Sequence, residues 1–302
     1  MNTPLKLSAF ALGLAAVFGA ALGVGAAVGP DPSTAEAADH GADAEEHGGE
    51  ATHTGESPAE ELPAGLLVSE AGYTLDLAED ALPAGTAAPV SFRILGPDGA
   101  PVTAFDVEHE EDLHLVAVRR DLDGFQHVHP TLGAGGVWTT TLDLTAGAWR
   151  LFADFVPSAD GENRILGADL AVAGSFDPAP LPAPTATAEV DGYTVVLSGQ
   201  LEAGTETELQ LSVSRDGVPV TDLQPYLGAY GHLVVLRAGD LGYLHVHPLG
   251  EPGDPAVAPG PHVEFATTAP SAGTYRLFLD FRHGDTVRTA AFTVTVPEEA
   301  GP

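Results

Sequence analysis

A chain of 302 residues with 44% hydrophobic content is long enough for about two domains with buried cores. It has no cysteine and its one methionine is Met1, which excludes disulfides, thiolate sites and thioether ligands. Any transition metal would be held by imidazole, carboxylate or main-chain groups, a donor set that favours Cu(II), Zn or Ni over Cu(I). The formal net charge of −32 repels nucleic acid and anionic membrane surfaces and suits cations, although a solvated acidic surface on an exported protein is the simpler cause.

Leu7 to Val28 are almost wholly apolar and follow Lys6, so residues 1–28 read as an uncleaved signal anchor with the rest of the chain outside the cytoplasm. Cleavage near Ala35-Glu36-Ala37 is the alternative and gives a secreted protein. Residues 29–63 are rich in Ala, Glu, Asp, Gly and Thr and have no Lys or Arg, the composition of a disordered acidic tether. His40, His47 and His53 lie within it among acids, a mixture that suits a hydrated spacer and, secondarily, loose cation binding.

Two copies of one unit follow, at 64–175 and 185–298, joined by the Pro-rich linker 176–184. Gly72-Tyr-Thr returns as Gly192-Tyr-Thr, Asp98-Gly-Ala-Pro-Val-Thr as Asp216-Gly-Val-Pro-Val-Thr, and Trp149-Arg-Leu-Phe as Tyr275-Arg-Leu-Phe. Each copy reads as short strands between Asp-Gly and Gly-rich turns, without sustained helical periodicity. The expected fold class is all-β, two tandem immunoglobulin-like antiparallel β-sandwich domains after an N-terminal membrane helix. Tyr275, and Trp149 as its counterpart, would close the corner where a tyrosine sits in such sandwiches.

The most distinctive repeat is His114 with His127-Val-His129-Pro130, which returns at identical spacing as His232 with His245-Val-His247-Pro248. Read as a hairpin, each copy pairs Val116 with His127 and His114 with His129, and correspondingly His232 with His247. All three imidazoles of a copy would then share a face. The strand from Trp149 lies beside the hairpin in an immunoglobulin-like order, which brings Asp154 toward the first set and Asp280 toward the second.

The candidate metal ligands are therefore His114, His127, His129 and Asp154, and His232, His245, His247 and Asp280, a donor set for copper or zinc. Glu108 to Asp112 give the first copy an acidic approach, whereas Pro225 to Gly231 in the second have no acid. The bland alternative is that the histidines are hydrogen-bonded parts of the sheet and that Arg150 pairs internally with Asp154. His262 and His283 stand alone and read as surface residues. No Gly-rich phosphate loop, thiol or serine elbow is present, so no enzyme is expected.

The signatures His114…Arg119-Arg-Asp-Leu…Phe125-Gln-His127-Val-His129-Pro and Pro225-Tyr-Leu-Gly-Ala-Tyr-Gly-His232…His245-Val-His247-Pro resemble those of exported bacterial, chiefly actinobacterial, proteins with two immunoglobulin-like domains. The second repeat is also similar to the small YtkA-like modules. That resemblance implies extracytoplasmic metal handling, with a membrane or exported metal-handling protein as partner. The reading is a membrane-tethered protein that sequesters or delivers copper or zinc; the alternative is a structural or partner-binding surface module.

Overall fold

The computed structural model describes residues 62–244 and 246–298. The expected anchor at 1–28, the tether with His40, His47 and His53, and His245 lie outside the described residues. Among the described residues, no helix is long and apolar enough to cross a membrane.

The first repeat contains β1 (Ser69–Glu70), β2 (Tyr73–Leu77), β3 (Ala81–Pro83), β4 (Gly85–Leu95), β5 (Phe105–Asp106), β6 (His114–Arg119), β7 (Gln126–Val128), β8 (Thr131–Leu132), β9 (Trp138–Leu144), β10 (Gly147–Pro157) and β11 (Arg164–Ala173). The second contains β12 (Thr187–Val190), β13 (Tyr193–Ser198), β14 (Glu206–Arg215), β15 (Val218–Pro219), β16 (His232–Arg237), β17 (Tyr243–Leu244), β18 (Val246–Pro248), β19 (His262–Thr268), β20 (Gly273–His283) and β21 (Thr286–Val296). Each repeat is a two-sheet, immunoglobulin-like antiparallel sandwich. The outer sheets run β1-β2-β4-β9-β8 and β12-β13-β14-β19-β18; the inner ones run β3-β11-β10-β6-β7 and β17-β16-β20-β21.

Alternation of apolar and polar residues builds the outer sheets. Tyr73 and Leu75 of β2 and Phe92 and Ile94 of β4 point inward, and their neighbours face water. They meet Leu115, Leu151 and Phe155 of the inner sheet in one core; Tyr193, Leu211 and Phe265 meet Val235, Leu277 and Phe292 in the other. At the corners, Tyr275 Oη donates to the Ser271 carbonyl (2.7 Å) and Trp149 Nε1 donates to the Thr145 carbonyl (2.8 Å). The indole thus closes the first sandwich as the phenol closes the second. Gly124, in the hairpin turn after β6, has φ +69°, and a Cβ there would come within 2.7 Å of the Trp149 ring.

The inner sheets behave differently. Every residue of β6 is buried, and β10, β16 and β20 are buried on both faces over most of their length. The second face of each is covered by the other repeat: Val116, Val118 and Phe152 pack with Val234, Leu236 and Phe278 in a third apolar cluster. The contact is reciprocal. Phe125 stacks on Phe278 at 4.0 Å between centroids, and at the equivalent place Tyr243 lies 5.5 Å from Phe152. The two repeats therefore mate as the halves of an isologous dimer do, the same surface patch serving on both sides. The Pro-rich linker is held against the first repeat by Phe176 over Arg119 and by the Ala179 amide donating to Asp121 (2.8 Å).

Candidate metal centre

The first hairpin adopts the expected register, with Val116 opposite His127 and Ala117 opposite Gln126. His114 and His127 consequently project from one face of the inner sheet, and His129 joins them just beyond the end of β7. One ring nitrogen from each of these three residues lies within 4.8 Å of the others. Among the described residues, no other group of histidines and carboxylates is this close.

The second set does not assemble in the same way. Val235 pairs with Leu244 and Leu236 with Tyr243, but the chain then leaves β16: Val246 pairs with Thr267 and His247 with Ala266 on the outer sheet. The expected pairing of His232 with His247 is therefore corrected. The longer connection from 249 to 261 allows the strand to join the edge of β19 earlier than its counterpart joins β9, and His247 ends up exposed. His232 stays on the inner face, while His245 lies outside the described residues.

What the second repeat contributes is Asp280. It sits beside His232 on the neighbouring strand, yet its Oδ2 accepts from His127 Nδ1 of the first repeat at 2.9 Å. Thr289, across from it on β21, donates to Oδ1 at 2.5 Å. Asp154, its counterpart, neighbours His114 on β10 and accepts from Asn163 Nδ2 at 2.7 Å. Burial pushes the Asp154 carboxyl up to about 6, with the Asn163 bond opposing the shift and the charge of Glu108 adding to it. Arg150 does not pair with Asp154; it reaches Asp169 (3.0 Å) and the carbonyls of Gly65 and Leu66 (2.6 and 2.9 Å).

These partners fix the tautomers. A carboxylate only accepts, so His127 carries its proton on Nδ1 toward Asp280; a carbonyl only accepts, so His114 Nε2 donates to Glu108 O at 3.1 Å. In the neutral rings, the remaining nitrogens, His114 Nδ1 and His127 Nε2, are then both lone-pair donors, and they face each other at 3.2 Å. Two lone pairs at that distance require a cation between them, either a proton or a metal ion. Two imidazole nitrogens on one tetrahedral zinc stand about 3.3 Å apart, given bonds of about 2.0–2.1 Å.

The surroundings discourage protons. Burial, reinforced by His127, lowers His114 to about 3 and His129 to about 4. Burial likewise lowers His232 to about 4, helped by His127 and His109. His129 Nε2 is buried without a hydrogen-bond partner, while Glu111 Oε1 lies 3.9 Å from its Nδ1. His232 Nε2 donates to the Tyr226 and Leu227 carbonyls, both at 3.0 Å. His109 comes from the acidic approach, its ring 5.1 Å from that of His232. His262 bonds Ser212, and His283 bonds Tyr193 and Asp222, all well away from the cluster.

The comparisons with known proteins fit the duplication. Residues 68–174 and 188–298 each match the family model described as a domain of unknown function (DUF8832), together more than half of the chain. No curated protein sequence matches. Among solved structures, the chain is similar to the fibronectin(III)-like modules of Clostridium thermocellum CbhA, with 13% identity, 75% of this chain and 94% of that one covered, and a TM-score of 0.21. It is also similar to the chicken CNTN1 FN1–FN3 domains (10% identity, 78% and 69% covered, TM-score 0.20) and to titin domains A168–A170 (9%, 75% and 65%, 0.19).

Proposed function

The chain belongs to the DUF8832 family, which each of its repeats matches, and we propose that it binds a divalent transition metal, copper or zinc, through His114, His127 and His129, for sequestration or delivery outside the cytoplasm. One observation carries this reading over a purely structural role. A proton shared between His114 and His127 would satisfy that pair but leave His129 Nε2 buried and unbonded; a metal ion engages all three rings. With neither thiol nor internal thioether in the sequence, imidazoles favour Cu(II) and Zn(II), and Cu(II) stands higher in the divalent affinity order. Tethering to the membrane by residues 1–28 belongs to the same proposal and rests on their apolar run.

Calorimetric titration of the full chain with Cu(II) and with Zn(II) tests it. Relative to wild type, the double variant His127→Ala/His129→Ala is expected to lose one equivalent of bound metal, whatever the tether binds loosely. Equal stoichiometry and affinity in both proteins would make the histidines structural.

Asp280 is the expected positioning residue, because it fixes the tautomer and ring orientation of His127 from the opposite repeat. Asp280→Asn is expected to weaken metal affinity about 10–100-fold, the usual cost of losing a carboxylate behind a ligating imidazole. An unchanged dissociation constant would remove Asp280 from the centre.

A further inference from the structure

A small polar cavity of about 70 Å³ adjoins the imidazole cluster at the junction of the repeats. His114 and His127 form part of its wall, with His109, His232 and the carboxylates of Glu108 and Asp154 among its other polar groups and several aliphatic side chains beside them. His129 does not line it, although its ring lies 5.0 and 5.1 Å from those of His114 and His127. An ion held by the three nitrogens would keep a coordination position that none of these rings fills, and the cavity beside His114 and His127 adjoins it. Three protein ligands with one open position is the pattern of reactive and exchangeable zinc and copper sites, whereas purely structural sites are closed by a fourth side chain.

The cavity is furnished for a small polar ligand. The Asp154 carboxylate and, given the donation from Nε2 to two carbonyls, the Nδ1 of His232 are acceptors. About 10–15 Å³ of such space is enough for one water, so the cavity admits several waters or one small ligand, and a buried water needs two to four polar partners. We propose that the centre keeps an exchangeable coordination site opening into this cavity, taken by water and open to small ligands of about three heavy atoms, with the bound ion attracting an anion and the Asp154 and Glu108 carboxylates on the wall opposing it. This rests on the metal reading above and adds that the bound ion is exposed to a small ligand from the cavity side.

Azide is the probe. Full-length protein carrying one equivalent of Cu(II) is titrated with azide at pH 7.5 and followed by the azide-to-copper charge-transfer band and by electron paramagnetic resonance. The expected result is a saturable band with one azide per copper. Asp154→Asn removes a negative charge facing the anion and is expected to tighten azide binding about tenfold. Copper that binds but shows no azide band, or whose azide affinity ignores the Asp154 substitution in a folded variant, overturns the cavity site and leaves the metal reading standing. Failure to bind copper through the three histidines overturns the metal reading itself. If the Asp154 variant does not fold, the wild-type azide titration decides the matter alone.

Discussion

Phe278→Ala is expected to destabilise the protein by about 3–5 kcal/mol, the usual range for deleting a buried phenyl ring. Phe278 is buried at the junction and stacks on Phe125 with an interplanar angle of 6°. The loss falls on the joint between the repeats, since neither sandwich core contains this side chain. Wild-type protein should unfold in one calorimetric transition, and the variant in two, the first lowered by roughly 10 °C, because 1 kcal/mol corresponds to about 2–4 °C in a chain of this size class. A Phe125→Ala/Phe278→Ala cycle should show coupling of about 0.5–1.5 kcal/mol from the stacked pair. A single transition at the wild-type temperature would mean that the repeats do not stabilise one another.

Acid should begin to destabilise the metal-free protein near pH 6.5, above the range where ordinary carboxylates titrate. His114, His129 and His232 are held at about 3, 4 and 4 in the fold, against an ordinary value of 6.5. Below pH 6.5 the unfolded chain takes up protons that the native state refuses, so stability is full above 6.5 and is lost as the pH falls toward 4. Each ring contributes up to about 1.4 kcal/mol per pH unit across that window. Asp154 acts in the opposite sense: raised to about 6 from 3.8, it costs stability when ionised and returns about 2 kcal/mol as the pH drops from 6 to 4.5. The net expectation from pH 7 to 4.5 is a loss on the order of 5 kcal/mol. Urea melts at the two pH values measure it, and equal midpoints would contradict the buried, neutral state of these imidazoles. Bound metal should hold the melt up to lower pH, because it competes with protons for the same nitrogens.

The fold was legible because its signals are local. Period-two alternation at Tyr73 and Leu75, turns at Asp98-Gly and Asp216-Gly, and the corner residues Trp149 and Tyr275 each act within their own repeat. The register of the first hairpin was legible for the same reason, since the turn after Arg119 and the spacing to His127 set it. The second hairpin has the same spacing and departs from it, because the choice between β16 and β19 as partner for Val246 to Pro248 is made by a neighbour distant in sequence.

The junction was missed, although it leaves a mark. Leu115 to Val118 and Leu233 to Leu236 are unbroken apolar runs where a strand with one wet face would alternate. Such runs signal burial on both faces, and with only one core per repeat the second cover had to come from elsewhere. Once that is recognised, Asp280 becomes available to His127, a pairing that no spacing within one repeat would suggest.

The reciprocal stacking of Phe125 on Phe278 and of Tyr243 beside Phe152 has a consequence for assembly. Two separate molecules joined by such a face would come apart on dilution, and the cluster would lose Asp280 with them. Here the partner is always present, since the linker at 176–184, strapped to Arg119 and Asp121, keeps the second copy at a fixed and high local concentration. Covalent duplication thus leaves the centre as complete in a dilute solution as in a crowded one.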